Sequence, residues 1–411
     1  MKAKIRFLVH SDKMSASMLV GRPSEDYTVT MDEVNAALEE EGIKYGICTE
    51  KLENAIENQS FLSEIPCAKG LPPVAGTDGE ISFVVPVNTE LKPRIKDDGT
   101  ADYHDLGLIN EIDEGRLLCR RTKPIPGTDG MDVYGNVIPY KAGKYPDFPA
   151  GEGTKISSFD DTKLVASRNG YIKFENGELS IPDVFVLNSD VDNGTGNIVF
   201  RGDVVINGSV REGFIIKSGK NVKINGSVEG AHIISGGNVY IRDGFTGMEE
   251  GDISASGDVE SRYIQNAVVK CGGNVTSEYL LNSYITSGGE INVSKGRGAI
   301  AGGETRSVGS INANYLGSDI YVETKLVIDD LPENFWSPSF VPYTHENDED
   351  DDDIDEIPMI KVLPDAKISA RSCAYPEVKI QIGMSFFDVD RELKCTRFEV
   401  AEGEISAKPI L

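Results

Sequence analysis

Aliphatic residues recur at every sixth position through the middle of the chain, and this spacing is the strongest pattern in the sequence. The positions are Ile198, Val204, Val210, Ile216, Val222, Val228 and Ile234. Three such steps also separate Ile206 from Ile224, the positions at which two copies of I-N-G-S-V begin. This period is typical of a β-solenoid, in which each coil supplies three short strands and buries its apolar face only by stacking on its neighbours.

Stacked coils place equivalent residues directly above one another. The period therefore predicts that Val222 lies above Val204 and that Val239 lies above Val222. Asn207 and Asn225 hold equivalent positions in the two I-N-G-S-V copies, so we expect their side-chain amides to form a ladder. The sequence I-N-G-S-V occurs twice because each coil must place the same inward side chains and the same corner against the next coil.

A second repeated phrase shows that the coils differ in length. Its copies begin at Ser218, Ser235, Cys271 and Ser287, so their intervals are uneven, and a shorter copy begins at Ser256. A hexapeptide-repeat acyltransferase needs an unbroken six-residue period in its left-handed solenoid, so these slips count against that alternative. We therefore expect a right-handed parallel β-helix over residues 186–330.

The N-terminal region, residues 1–185, has a mixed pattern that predicts an α+β domain. Thr30 and Glu33 form a capping box at the start of a helix that ends near Gly42, and a second short helix begins at Thr49.

The motif G-T-D-G occurs twice in this domain, at residues 76–79 and 127–130. Because Asp-Gly permits the positive φ angles of a tight hairpin, both copies predict turns between strands. A catalytic pair formed by Asp78 and Asp129 is the alternative, since such chemistry needs two carboxylates in one cleft. Duplicated turn chemistry is the preferred interpretation.

The chain beyond the solenoid changes composition twice. Residues 331–357 contain prolines and the acidic run 346–356, which holds nine acids and no base. This run lacks the glycine of a calcium-binding loop, so we predict a solvated linker. Residues 358–411 alternate apolar and polar positions and predict a short C-terminal β tail.

The charge of the chain narrows the classes of partner. The formal net charge of −26 would be repelled by nucleic acid and by anionic lipid surfaces. The six cysteines include no C-x-x-C pair, which argues against a zinc site and a disulfide framework. No leader-like segment and no run of about 18 apolar residues is found, so we expect a cytoplasmic protein without a membrane span.

We find no motif for catalysis or for a cofactor. The segment 295–303, K-G-R-G-A-I-A-G-G, could cradle an anion with its glycine amides, but a tight solenoid corner is the preferred interpretation. The four histidines have no spacing typical of metal ligands. We therefore predict a protein that is not an enzyme and that needs no cofactor or metal.

Several longer phrases together resemble the flagellar assembly protein A family, a bacterial group with an N-terminal region followed by a β-solenoid domain. They are EEGIKYGI, DDGTADYHDLGLINEIDEGRLLCRRTKPIPGTDGMDVYG, GTGNIVFRGDVVINGSV and KGRGAIAGGETRSVGSINANYLGS. The resemblance covers most of the chain and implies a role in flagellar assembly, motility or the polar scaffolding of partner proteins. The family has no established catalytic residues to carry over. Many members continue into a coiled coil, whereas prolines and acids follow the solenoid here.

The leading hypothesis is a non-enzymatic scaffold that presents one side of a solenoid rod to protein partners, with a homo-oligomer as a further option. The alternative classes are a polysaccharide-binding or polysaccharide-acting β-helix protein and the hexapeptide-repeat acyltransferase. Equivalent phrases place Tyr263 above Tyr279, with Tyr315 two coils further along. Tyrosine combines apolar area with a polar tip and is common in protein interfaces, so these three residues are the candidate partner-binding stripe.

Overall fold

The structure is a computed structural model, and it describes residues 4–21, 28–58, 64–87, 94–95, 101–102, 106–248, 250–333, 335–336 and 359–410. The chain divides into two compact units. The first contains residues 1–85, 117–150 and 155–165, and the second contains residues 86–116, 151–154 and 166–411. The boundaries of the four domains expected from the sequence stay a prediction. The acidic run at 346–356 lies outside the described residues.

The first unit contains two helices packed beside small antiparallel sheets. The helices are Met31–Glu41 and Thr49–Glu57. The strands Ile5–Val9, Ser15–Val20 and Ile65–Lys69 form one sheet. The predicted capping box is confirmed, because the Thr30 hydroxyl accepts from the Glu33 N–H and the Glu33 carboxylate accepts from the Thr30 N–H. Gly42 ends the helix with a φ of 81°.

Shorter antiparallel strands make up the rest of this unit and the approach to the solenoid. Leu117–Arg121 pairs with Ile81–Phe83 on one side and with Lys163–Ala166 on the other. The remaining strands are Arg94–Ile95, Ala101–Asp102, Glu111–Ile112, Gly130–Met131, Val137–Ile138, Thr154–Ile156, Gly170–Tyr171, Lys173–Glu175 and Glu178–Ser180.

The expectation that both G-T-D-G copies form hairpin turns is wrong. Each copy instead lies antiparallel to the residues that precede the other copy, and backbone bridges join Leu71 to Met131, Val74 to Thr128 and Thr77 to Ile125. None of the four motif glycines has a positive φ. Their lack of a side chain permits close approach instead, since a Cβ on Gly127 would lie 2.1 Å from the Val74 carbonyl oxygen.

The second unit is built on a parallel β-solenoid with three faces, as the sequence predicts. The first face consists of Val184–Leu187, Asp203–Ile206, Val222–Ile224, Val239–Ile241, Val259–Ser261, Val275–Thr276, Ile291–Val293, Ile311–Leu316 and Ile368–Ala374. Val222 lies between Val204 and Val239, and the Asn225 amide donates to the Asn207 oxygen at 2.8 Å. Both of these predictions are confirmed.

The second face follows the first along each coil, and the third face closes the coil. The second face begins as bridges through Val191, Val210 and Val228 and continues as Ser227–Glu229, Gly244–Thr246, Tyr263–Gln265 and residues 279–281, 299–301 and 315–316. The third face consists of Ile198–Phe200, Ile215–Ser218, His232–Ser235, Asp252–Ala255, Val268–Cys271, residues 284–287 and 303–307, Thr324–Ile328 and Val378–Ile382. Tyr279–Ser287 and Ala299–Ser307 run from the second face into the third, and Ile311–Leu316 runs from the first face into the second.

The phrase S-G-x-N-V repeats because its serine, glycine and asparagine each make a specific contact with a neighbouring coil. The Ser218 hydroxyl donates to the Gly202 carbonyl at 2.7 Å, which satisfies a buried backbone group at the corner. A Cβ on Gly219 would lie 2.4 Å from the Arg201 carbonyl oxygen. The Asn221 side-chain oxygen accepts from the backbone N–H of Asn238 at 2.8 Å. Serine, glycine and asparagine thus fix the corner for the coil above.

An ion-pair network lies on the outer surface of the third face. Glu304 receives hydrogen bonds from Arg306 and Lys325, each at 3.0 Å. Burial alone would raise the pKa of Glu304, but these two cations outweigh it and hold the pKa below its ordinary value of 4.5. Glu304 therefore stays ionised well into the acidic range.

The C-terminal β tail joins the solenoid rather than standing apart from it. Ile368–Ala374 and Val378–Ile382 pair in parallel with the coil before them, and Ser385–Val389, Leu393–Ala401 and Glu404–Pro409 then add antiparallel strands. One continuous apolar core runs from Phe185 to Ile405. The chain leaves and re-enters this stack through the antiparallel pair Leu331–Pro332 and Met359–Ile360.

Candidate functional site

Two of the three predicted tyrosines stack in register on the outer surface of the second face. Tyr263 pairs with Tyr279 across neighbouring coils, and their ring centroids lie 5.4 Å apart with only 5° between the ring planes. The alternating Ile264 and Leu280 point inward and are buried. Both tyrosine rings are partly exposed, so the stack offers flat apolar area to solvent.

The third predicted tyrosine lies two coils further along, as expected, and the coil between carries an alanine. Tyr279 pairs with Ala299, and Ala299 pairs with Tyr315. Tyr315 in turn packs against Tyr375, with ring centroids 6.3 Å apart and 19° between the planes. We call these four tyrosines the tyrosine surface. Ala299 interrupts it between two stacked pairs.

A cavity of about 550 Å³ lies beside Tyr279 and Ala299. Ala299 and Ala301 form its floor, and the two alanines are only 6% and 7% exposed. The other residues around the cavity are Gln265, Tyr279, Leu281, Arg297, Gly317, Ser318, Asp319 and Ile320. Its size falls in the range of sites that bind small molecules or single side chains.

Local backbone chemistry positions this surface. Asn266 and Asn282 end equivalent strand segments with φ values of 49° and 47°, and Gly302 holds the next corner with a φ of 77°. Asparagine and glycine are the residues that best tolerate this left-handed conformation. Gly244 makes room for the first ring of the surface, since a Cβ there would lie 2.3 Å from a carbon of Tyr263.

Charged and polar groups also line the cavity. Arg297 is exposed, and it makes no ion pair with another of the residues that the structure describes. Asp319 lines the same cavity, beside the 79% exposed side chain of Ile320. Burial, followed by electrostatic repulsion from Cys373 and then from Asp319, raises the pKa of Tyr375 above its ordinary value. The Tyr375 hydroxyl therefore stays protonated at neutral pH and can donate a hydrogen bond.

The segment 295–303 forms a corner and the start of a strand. Gly296 and Gly298 have φ values of 57° and 66°, as a tight bend requires, and the strand begins at Ala299. The Lys295 ammonium lies 3.7 Å from Glu260. The bend interpretation is confirmed, and the segment also delivers Arg297 to the cavity.

Three other residues weighed from the sequence have structural partners, whereas His104 and His345 lie outside the described residues. Asp78 accepts from the Lys144 N–H at 2.7 Å, and Asp129 accepts from the Tyr140 N–H at 2.9 Å. Both carboxylates therefore hold backbone groups. His232 pairs with Asp252 on the third face.

Within the described part of the chain, no group of three or more His, Cys, Asp or Glu side chains is arranged to hold a metal ion. No helix in that part is long and apolar enough to span a membrane.

Tyr375 was not predicted from the sequence as a member of the tyrosine surface. Ala299 and Arg297 were placed only in the glycine-rich segment 295–303 and not at a cavity beside the tyrosines. Ala299 aligns with Tyr279 only after a longer coil, so the repeated tyrosine phrase gives no signal for it. Tyr375 follows the insertion between Ile311 and Ile368, which are neighbours in register although they are far apart in the chain. The position of Tyr375 beside Tyr315 could therefore not be predicted from the spacing of residues in the sequence.

The three parallel faces, the shared core and the stacked corner residues define a β-solenoid protein with a mixed N-terminal unit. Family comparison assigns both parts. The N-terminal region of flagellar assembly protein A matches residues 5–177, and the β-solenoid domain of flagellar assembly protein A matches residues 183–335. The chain therefore belongs to the flagellar assembly protein A family. Searches found no significant match among curated proteins and none among solved structures.

Proposed function

We propose that the protein is a non-enzymatic cytoplasmic scaffold in flagellar assembly, and that its solenoid binds a protein partner through the tyrosine surface. Family membership supports the assembly role. The observation that carries the binding role is the presence of two stacked, partly exposed tyrosine pairs on one face of the solenoid, with a cavity that Tyr279 helps to line. Tyrosine-rich, partly apolar surface is typical of protein interfaces.

A rigid face suits this role. Each coil is held to the next by backbone hydrogen bonds and by side-chain ladders, so the exposed rings keep their relative positions before a partner arrives. Preorganised contacts lose little conformational entropy on binding, which leaves more of the contact energy for affinity.

The cysteines support a reducing compartment. All six are free, and four of them are buried. Burial raises the pKa of Cys271 to about 12 and that of Cys67 and Cys119 to about 11, which keeps these thiols protonated and inert. Reduced, buried thiols are the usual state in the cytoplasm.

The test replaces Tyr263, Tyr279 and Tyr315 together with serine, in cells that make the protein. Each stacked pair contributes about 0.5–1.5 kcal/mol beyond its buried area, so the variant should lose about 1–3 kcal/mol from stacking, in addition to the smaller burial of partly exposed rings, and stay folded. We expect it to lose its co-purified partner and to reduce the number of assembled flagella. Tyr284→Ser is the matched control, because Tyr284 is 62% exposed on the third face.

Two results would contradict the proposal. A folded triple variant that keeps every partner and normal flagella would show that the tyrosine surface is not the interface. Binding of purified oligosaccharide to wild-type protein, lost in the triple variant and without any protein partner, would favour the carbohydrate alternative. Neither result is expected from Tyr284→Ser.

A further inference from the structure

The tyrosine surface is a stack of rings with one ring missing. Neighbouring coils of a solenoid lie about 4.8 Å apart, so Tyr279 and Tyr315 are separated by about 9.6 Å, with Ala299 between them. The rings on either side already pair with Tyr263 and Tyr375 at centroid separations of 5.4 and 6.3 Å. A ring above Ala299 would lie one coil from each neighbour, so its centroid separations should resemble the 5.4 and 6.3 Å of the existing pairs, inside the range of about 4.5–7 Å for aromatic pairs.

We propose that this gap binds one aromatic side chain of the partner protein, with its ring parallel to Tyr279. This inference rests on the proposed function and names the group that the tyrosine surface recognises. The floor of Ala299 and Ala301 is apolar, and Leu281 flanks it, so the ring enters a site that favours loss of water. The 550 Å³ cavity has room for a ring and for the backbone that carries it.

The charged residues that line the cavity determine which partner residue is favoured next to the aromatic side chain. Arg297 is not engaged in an ion pair by any residue in the described part of the chain, while Asp319 lines the same cavity. A partner carboxylate next to the aromatic residue is complementary to Arg297 and would be repelled by Asp319. The recognised element is therefore an aromatic residue beside an acidic one, held in one orientation.

Ala299→Tyr tests the gap without knowledge of the partner. The new ring should complete the stack, so the melting temperature should be equal to or higher than that of wild type. Ala299→Ser is the matched control, because it leaves the gap open. A drop of several degrees for Ala299→Tyr, with Ala299→Ser unchanged, would show that no ring fits and would overturn the proposal.

Binding is measured by saturation-transfer NMR with three probes: acetyl-Glu-Trp-amide, acetyl-Gln-Trp-amide and acetyl-Glu-Leu-amide. For wild type and Ala299→Ser we expect the first to bind best and the third to give no signal. Ala299→Tyr should reduce the signal of both tryptophan probes at least tenfold, and Arg297→Gln should abolish the preference for glutamate. Equal signals from the leucine probe, or undiminished binding by Ala299→Tyr, would contradict the inference.

Partner capture separates this inference from the function on which it rests. If Ala299→Tyr keeps the partner that the triple serine variant loses, the tyrosine surface is the interface and the gap inference fails. If the tryptophan probes bind through the gap but both variants keep every cellular partner, the gap accepts an aromatic ring, but the proposed interface fails and so does the partner side chain assigned to the gap.

Discussion

Val222→Asp is the sharpest test of the stacked core. Val222 is 1% exposed and lies between Val204 and Val239 on the first face. Losing the buried valine costs about 1.5–3 kcal/mol of transfer free energy. Keeping the new carboxyl protonated at pH 7, about three units above its ordinary pKa near 3.9, costs about 4 kcal/mol more. The sum of about 6 kcal/mol is comparable with the whole stability of a typical domain, about 5–15 kcal/mol.

The carboxyl makes this destabilisation depend on pH. The pKa of a buried, unpaired Asp is higher in the folded than in the unfolded protein, so its folded-state penalty grows as pH rises above about 3.9. Urea unfolding followed by circular dichroism should therefore show a much larger difference from wild type at pH 7 than at pH 4. Val222→Asn, which has no titrating group, should show the same difference at both values.

Lys223→Asp is the control for position, because Lys223 is next in the same strand and points outward. It loses only a contact with the Tyr240 ring, at 5.8 Å, which is worth about 0.5–1 kcal/mol at an exposed site. If Val222→Asp unfolds at the same urea concentration as Lys223→Asp, Val222 is not between the coils and the register is wrong.

Three further outcomes follow from the packing. Gly127→Ala should destabilise the first unit by about 1–3 kcal/mol through overpacking. Gly21→Ala should be tolerated, because its new Cβ would lie 3.5 Å from the nearest atom. Equal melting temperatures for the two variants would refute the close backbone approach at Gly127. In native protein a thiol reagent should modify exposed Cys395 and spare Cys271 until unfolding, and early labelling of Cys271 would contradict its burial. Glu304→Gln should lose stability relative to wild type above pH 4.5, and the loss should shrink as pH falls through the lowered pKa; a constant difference down to pH 2 would exclude the ion pairs as its source.

The solenoid could be predicted from the sequence because its repeats are local. Val204 and Val222 lie one coil apart, so a six-residue spacing and two copies of I-N-G-S-V were enough to pair them. The same reasoning placed Tyr263 on Tyr279. Coil length varies along the solenoid without disturbing the stack, since corners absorb the difference while the inward residues keep their register.

Contacts between segments that are far apart in the chain could not be predicted from the spacing of residues in the sequence. The two G-T-D-G copies predict turns, because Asp-Gly chemistry is the local signal and the close partner backbone is not visible in either copy alone. Tyr375 reaches the tyrosine surface only because the chain returns to the stack after the insertion. Ala299 marks a gap only because Tyr279 and Tyr315 lie on the coils on either side of it. Handedness of the solenoid stays a prediction.

Site-specific photo-crosslinking in cells tests the central claim most directly. Benzoylphenylalanine is placed at Tyr279 on the second face in one strain and at Tyr284, the more exposed tyrosine on the third face, in another. We predict that Tyr279→benzoylphenylalanine yields a discrete crosslinked partner during flagellar assembly and that Tyr284→benzoylphenylalanine does not. Equal crosslinking at both positions, or a partner captured only at Tyr284, would contradict the assignment of the tyrosine surface as the interface.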